Sequence, residues 1–310
     1  MKVLLATDGS ECSIGAAQFL SRFRCSSYDE ITVLYVIPEA PFSGADGPHY
    51  ADLMRVKKGI APKILDATVA ELKGLKAKVS TVVATGHPDK AIIDAAALKP
   101  TDMIVMGARG IRGVKSLFLG SVTRAAAINS PVPVLVTRKP QWKASGPLKT
   151  LYATDGSEFA LEKGRLLGRI PFPEDSEVTI LYVSGSSFAD IPEQFYLEVE
   201  DRVKELAAKI TEMRYRRAEE MMNDARAFLE GKFAKVSCLV KNGDPAEMIL
   251  NAAESLGADV VAMGSSGMRG LKGMLGSVSR RVLGHATCSI LIGKQRAEQR
   301  SAERKLPMTR

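Results

Sequence analysis

Nowhere among the 310 residues do eighteen or so apolar residues run together, which excludes a membrane-spanning helix. Cysteine and histidine are scarce. Cys12, Cys25, Cys238 and Cys288 form no CxxC pair, and His49, His87 and His285 are scattered. Zinc needs several such ligands converging, so a zinc-stapled fold is excluded and the cysteines read as small core residues or reduced thiols. The first strand is not followed by GxGxxG, which argues against a dinucleotide-dependent dehydrogenase. No GxxxxGK[ST] loop and no GxSxG elbow occur, so P-loop and hydrolase chemistry have no support. The opening MKVLLATDGS has no signal-peptide apolar region, and a cytoplasmic protein is expected. Basic residues interleaved with aromatics are also lacking, so nucleic acid is not an expected partner.

Charge is present but uneven. Residues 1–147 carry 19 Lys/Arg against 12 Asp/Glu, residues 148–293 carry 18 against 21, and residues 294–310 carry 6 against 2. A solvated surface with a basic C-terminal tail at 294–310 accounts for this pattern.

Three blocks recur in order. VLLATDGSE at 3–11 matches TLYATDGSE at 150–158. ATGHPDKAIIDAA at 84–96 matches KNGDPAEMILNAA at 241–253. DMIVMGARGIRGVKSLFLGSV at 102–122 matches DVVAMGSSGMRGLKGMLGSV at 259–278 with one residue fewer. The chain therefore reads as domain 1 at 1–138, a linker at 139–147, domain 2 at 148–293 and the tail.

Each repeat alternates short apolar strands with helical stretches. In the first repeat, strands are expected at Val3–Ala6, Thr32–Val36, Val79–Ala84, Met103–Met106 and Val134–Thr137. Helices are expected at Ser13–Phe23, Asp52–Leu75, Pro88–Ala97 and Leu117–Asn129. The second repeat has strands at Leu148–Ala153, Val178–Val183, Ala234–Val240, Val260–Met263 and Ser289–Ile292. A long helical stretch is expected over 193–229. Strands that do not alternate with polar residues are buried on both faces, the mark of a parallel sheet. The expected fold class is α/β: two tandem doubly wound domains, each a five-stranded parallel sheet with flanking helices, packed as a pseudo-dimer.

In such sheets ligands sit beyond the carboxyl ends of the strands. Two places there carry chemistry. Gly107-Ala-Arg-Gly110, nine residues, then Gly120-Ser121 follows the fourth strand. Its backbone N–H groups, with the Ser121 hydroxyl, suit phosphate oxygens, and Arg109 and Arg112 add positive charge. Equally, the glycines could only shape turns. Asp8 ends the first strand and Asp155 matches it; each suits ribose hydroxyls or the N-cap of the following helix. Val36 or Ile37, after the second strand, offers a backbone edge and apolar wall to a base.

These blocks, ATDGS, LYV, GxP before a helix and DMIVMGARG…LGSV, resemble the universal stress protein family in its tandem form, and the glycine spacing resembles its ATP-binding branch. The resemblance implies that Asp8 contacts ribose, that the Val36 backbone reads adenine, and that Gly107, Gly110, Gly120 and Ser121 hold the phosphates. In the second repeat the same roles fall to Asp155, Val183, Gly264, Gly267, Gly276 and Ser277. There the spacer is eight residues, Met268 to Leu275. One residue is about 3.8 Å of chain, so a shifted phosphate loop is expected and domain 1 is favoured. The implied cofactor is ATP, with or without Mg2+. The implied function is a stress-response protein acting by nucleotide-dependent signalling or binding of a protein partner, and not a dedicated enzyme. A nucleotide-free interaction scaffold, slow ATP hydrolysis and a homodimer of the tandem chain stay open.

Overall fold

The computed structural model describes residues 1–39, 47–109, 119–138, 142, 146–156, 164–185, 201–265 and 275–294. The chain forms two compact units. The first takes Met1–Gly146, Ile170–Pro173 and the chain from Thr287. The second takes Pro147–Arg169 and Glu174–Ala286.

In the first unit the strands are β1 (Lys2–Thr7), β2 (Glu30–Pro38), β3 (Lys78–Gly86), β4 (Met103–Gly107) and β5 (Val134–Thr137). They are parallel in the order β3-β2-β1-β4-β5. The inner strands are buried along nearly their whole length, with Leu5, Val33, Ile104 and Val136 at or near zero exposure. That burial explains why their sequences lack polar alternation. The strand β10 (Ser289–Gly293) also counts in this unit and runs antiparallel to β5, with Leu291 opposite Leu135. A second insertion comes from Ile170–Pro173: Pro171 O accepts from Arg24 N at 2.8 Å, and the Phe172 ring lies 5.5 Å from that of Phe23.

Around this sheet lie α1 (Glu11–Ser21), α2 (Gly47–Ala70), α3 (Pro88–Leu98) and α4 (Ser121–Asn129). α2, expected over Asp52–Leu75, spans Gly47–Ala70 and passes through Pro62. Of the helix expected over Leu117–Asn129, α4 begins at Ser121 after an extended Gly120, with φ −62° and ψ 150°, and 117–118 lie outside the described residues.

The second unit holds β6 (Lys149–Thr154), β7 (Glu177–Ser184), β8 (Lys235–Asn242) and β9 (Val260–Gly264). They are parallel in the order β9-β6-β7-β8. Its helices include α5 (Asp201–Leu229), α6 (Pro245–Ser255) and α7 (Ser277–His285). Of the helical stretch expected over 193–229, residues 201–229 form one unbroken helix, and 193–200 lie outside the described residues.

α2 and α5 are matched elements at an offset of 157. Ala61, Leu65 and Leu72 face the first core, and Ala218, Met222 and Leu229 face the second. Toward their N-termini both helices leave the core: Leu53 and Val56 are exposed, as are Ile210 and Met213. Helical amides open easily where few apolar contacts hold the backbone. Hydrogen exchange should therefore be slow at Ala218–Leu229 and clearly faster at Val203–Met213. Uniform exchange along α5 would contradict this packing.

Candidate functional site

The end of β1 turns sharply into α1. Gly9 has φ +77°, a left-handed conformation that costs a residue with a Cβ, and its counterpart Gly156 has φ +74°. The N–H of Gly9 donates to Thr7 Oγ1 at 3.2 Å, and Gly156 donates to Thr154 Oγ1 at the same distance. The turn is therefore built alike in both repeats.

Asp8 is not the N-cap of α1. Ser10 takes that role, accepting from Ser13 N at 3.3 Å. Its hydroxyl donates to Asp8 Oδ1 at 2.6 Å, and Ser10 N donates to the same oxygen at 3.1 Å. Ser10 can cap the helix because it sits one residue before its first turn; Asp8, two residues earlier, is half-buried at the strand end. Below it, Thr7, Ser13 and Thr68 form a buried hydroxyl cluster, with Thr7 Oγ1 2.9 Å from Thr68 Oγ1 and 3.1 Å from Ser13 Oγ.

Ser10 also ties this turn to β4, since its Oγ lies 3.4 Å from Arg109 O. Gly107 comes closer still to α1. A Cβ there would stand 2.6 Å from both C and O of Cys12, so only glycine fits. Its role in this structure is close packing of β4 on α1, with no positive φ. After it, Gly120 N donates to Ala108 O at 2.9 Å, and Thr123 Oγ1 donates to Gly107 O at 2.9 Å. These two bonds seat the N-terminus of α4 on the carboxyl end of β4. Gly120 occupies the N-cap position, so no side chain caps α4. Ser121 is its exposed first residue. The leading N–H groups of a helix have no intrahelical acceptor and carry its positive dipole end.

Two residues join this site without a sequence signal. Tyr35, beside the buried Val36 in β2, has its hydroxyl pKa raised by burial and then by the nearby Asp8 carboxylate. Arg138, directly after β5, has its pKa lowered by burial; Cys288 opposes that shift and the Arg109 guanidinium adds to it. Arg109 and Arg138 thus lie within electrostatic reach of each other. Burial first and Asp29 second push the Cys25 thiol up to about 11, away from the thiolate form that reactive cysteines use. His87 occupies the N-cap position of α3 without a side-chain cap bond.

The second repeat rebuilds the junction of strand and helix despite its shorter spacer. Gly276 N donates to Ser265 O at 2.7 Å, and Ser279 Oγ donates to Gly264 O at 2.7 Å. Gly276, with φ −61° and ψ 161°, also leaves α7 uncapped by a side chain, and Ser277 is exposed. The helix start is therefore seated as in the first repeat, while the shortened loop, 266–274, lies outside the described residues. Asp155 follows β6, and Val183 is half-buried in β7, unlike the buried Val36. Gly110, Arg112 and Gly267 lie outside the described residues.

The universal stress protein family model matches residues 1–138 and again 148–294. The chain belongs to the universal stress protein family. A universal stress protein of Methanocaldococcus jannaschii is 33% identical over 144 residues, covering 45% of this chain and 83% of its own. One from Mycolicibacterium smegmatis is 26% identical over 308 residues, covering 95% of this chain and 97% of its own. The crystal structure of a universal stress protein from Archaeoglobus fulgidus has a TM-score of 0.63 at 27% identity, covering 96% of this chain and 98% of that one. The tandem organisation is therefore shared along whole chains.

The contacts separate two kinds of glycine. Gly107→Ala drives a Cβ into the backbone of Cys12 and should lower stability by about 1–3 kcal/mol or more. Gly120→Ala meets nothing nearer than Ala108 O at 3.4 Å and should lose only the advantage of glycine over alanine at an N-cap, under about 1 kcal/mol. Urea denaturation without added ligand checks both; equal stability of the two variants would refute the assignment of Gly107 to packing.

Proposed function

We propose that this universal stress protein binds ATP at the carboxyl edge of the first sheet and acts as a nucleotide-dependent signalling or partner-binding protein. The carrying observation is the N-terminus of α4, which has no side-chain cap and is pinned to the end of β4 beside Asp8. Backbone N–H groups presented this way suit phosphate oxygens. Arg109 and Arg138 add positive charge on the same side. Asp8, held by Ser10, is a preset acceptor for ribose hydroxyls, and the Val36 backbone with Ile37 supplies an edge and wall for adenine. Among the described residues no three acidic, histidine or cysteine side chains converge on a metal position. A Mg2+ ion would therefore be carried by the phosphates, its usual habit with nucleotides.

Arginine and helix-dipole contacts hold phosphate without activating water, and Asp8, the carboxylate of this constellation, is engaged by Ser10. The reading is accordingly a binding switch, in which nucleotide occupancy alters a surface that a partner recognises. The full nine-residue spacer favours domain 1. For domain 2 the deletion between Ser265 and Leu275 supports a scaffold role without nucleotide.

Titration calorimetry with ATP on the whole chain tests this reading. Gly120→Ala should lose affinity strongly, because a Cβ packed against Ala108 O and Arg109 shifts the N–H groups that phosphate needs, while the fold persists. Ser121→Ala should lose less, about 0.5–1.5 kcal/mol for one hydrogen bond and up to about 3 to a charged acceptor. Gly276→Ala should matter less than Gly120→Ala. Tight, equal binding by wild type and Gly120→Ala would overturn the site. A larger loss from Gly276→Ala would transfer it to domain 2.

A further inference from the structure

β3 is the outer strand of the first sheet. It pairs with β2 from Lys78 opposite Glu30 to Gly86 opposite Pro38, and among the described residues no strand pairs with its other side. An open edge presents unpaired N–H and C=O groups, and proteins guard such edges with lysine, proline, a bulge or shortness. β3 has none of these beyond its first residue. It is nine residues long, and positions 79–86 hold no ionisable side chain and no proline. Val79, Thr81, Val82, Val83 and Thr85 are strong strand formers, and Val83 is 45% exposed. Leu98, at the end of α3, is 84% exposed and shares a cleft wall with Val82. The outer strand of the second unit differs. β8 is eight residues and carries Lys241 within its length, a charge where β3 has Ala84 at the same offset of 157.

We propose that β3 pairs antiparallel with β3 of a second copy of this chain. The strand is its own complement. Centred on Val82, a twofold pairing sets Thr81 against Val83, Ser80 against Ala84, Val79 against Thr85 and Lys78 against Gly86, so no like charges meet. Such an interface is isologous, which a closed dimer requires. Nine residues give a seam of about 30 Å at the usual strand rise. In the order β3-β2-β1-β4-β5 this edge lies two strands from β1, so pairing there leaves the end of β4 and Gly120 accessible.

Sedimentation velocity of the full chain over a micromolar to millimolar series, joined to hydrogen exchange at Lys78–Gly86, tests the proposal. The mass should double reversibly with concentration, and the β3 amides should slow in step. Val83→Lys should weaken dimerisation about tenfold or more by setting two cations diagonally across the axis. Thr81→Lys, exposed on the same face and likewise diagonal to its mate across the axis, should act in the same way. Lys241→Glu on β8 should leave the mass curve unchanged. A chain that stays monomeric throughout would overturn the proposal. So would a dimer whose β3 amides exchange no slower, or native-like Val83→Lys and Thr81→Lys variants that dimerise as well as wild type.

Discussion

The approach of β4 to α1 governs the carboxyl edge of the first sheet. Gly107 lies so near the backbone of Cys12 that no Cβ fits between them. This contact brings Arg109 O to Ser10, and Ser10 in turn fixes Asp8. Gly107 O then receives Thr123, which seats α4. One close-packed pair thus places a carboxylate and a helix N-terminus at a common edge. A larger residue at Gly107 would push these parts away from each other as well as strain the core.

The same construction in the second unit shows which parts are structurally obligatory. The hydrogen bonds of Gly120 and Thr123 recur at Gly276 and Ser279, with a hydroxyl kept in each case. A loop shorter by one residue does not disturb them, because the helix start is held from both sides of the glycine. What separates the units is the surrounding wall. Val36 is buried where Val183 is half-buried, and Gly9 meets Ile64 where Gly156 meets the softer Met221.

Much of the fold was legible in the sequence because duplication supplies an internal comparison. Two copies of ATDGS at strand ends mark the same turn, and apolar runs such as MIVMG and VVAMG mark buried parallel strands. Helix starts were read less well. Leu119 looks helical by composition, but with an extended Gly120 as N-cap α4 begins at Ser121. The cap of α1 was open between a ribose role and capping for Asp8, and neighbouring Ser10 settles the capping half. Thr68 and Arg138 carried no signal at all. Thr68 reaches Thr7 across 61 residues, and Arg138 acquires its setting from burial and from Arg109. Local spacing encodes helices and turns; contacts of that range depend on how the sheet is ordered.

The composition of the first unit has a practical consequence for dissecting the protein. Its sheet is completed by β10, and Phe23 packs on Phe172, both drawn from beyond the linker. A gene fragment ending near residue 147 would therefore encode an incomplete body. It would leave the free margin of β5 uncovered and Phe23 with Phe19 as its remaining ring contact.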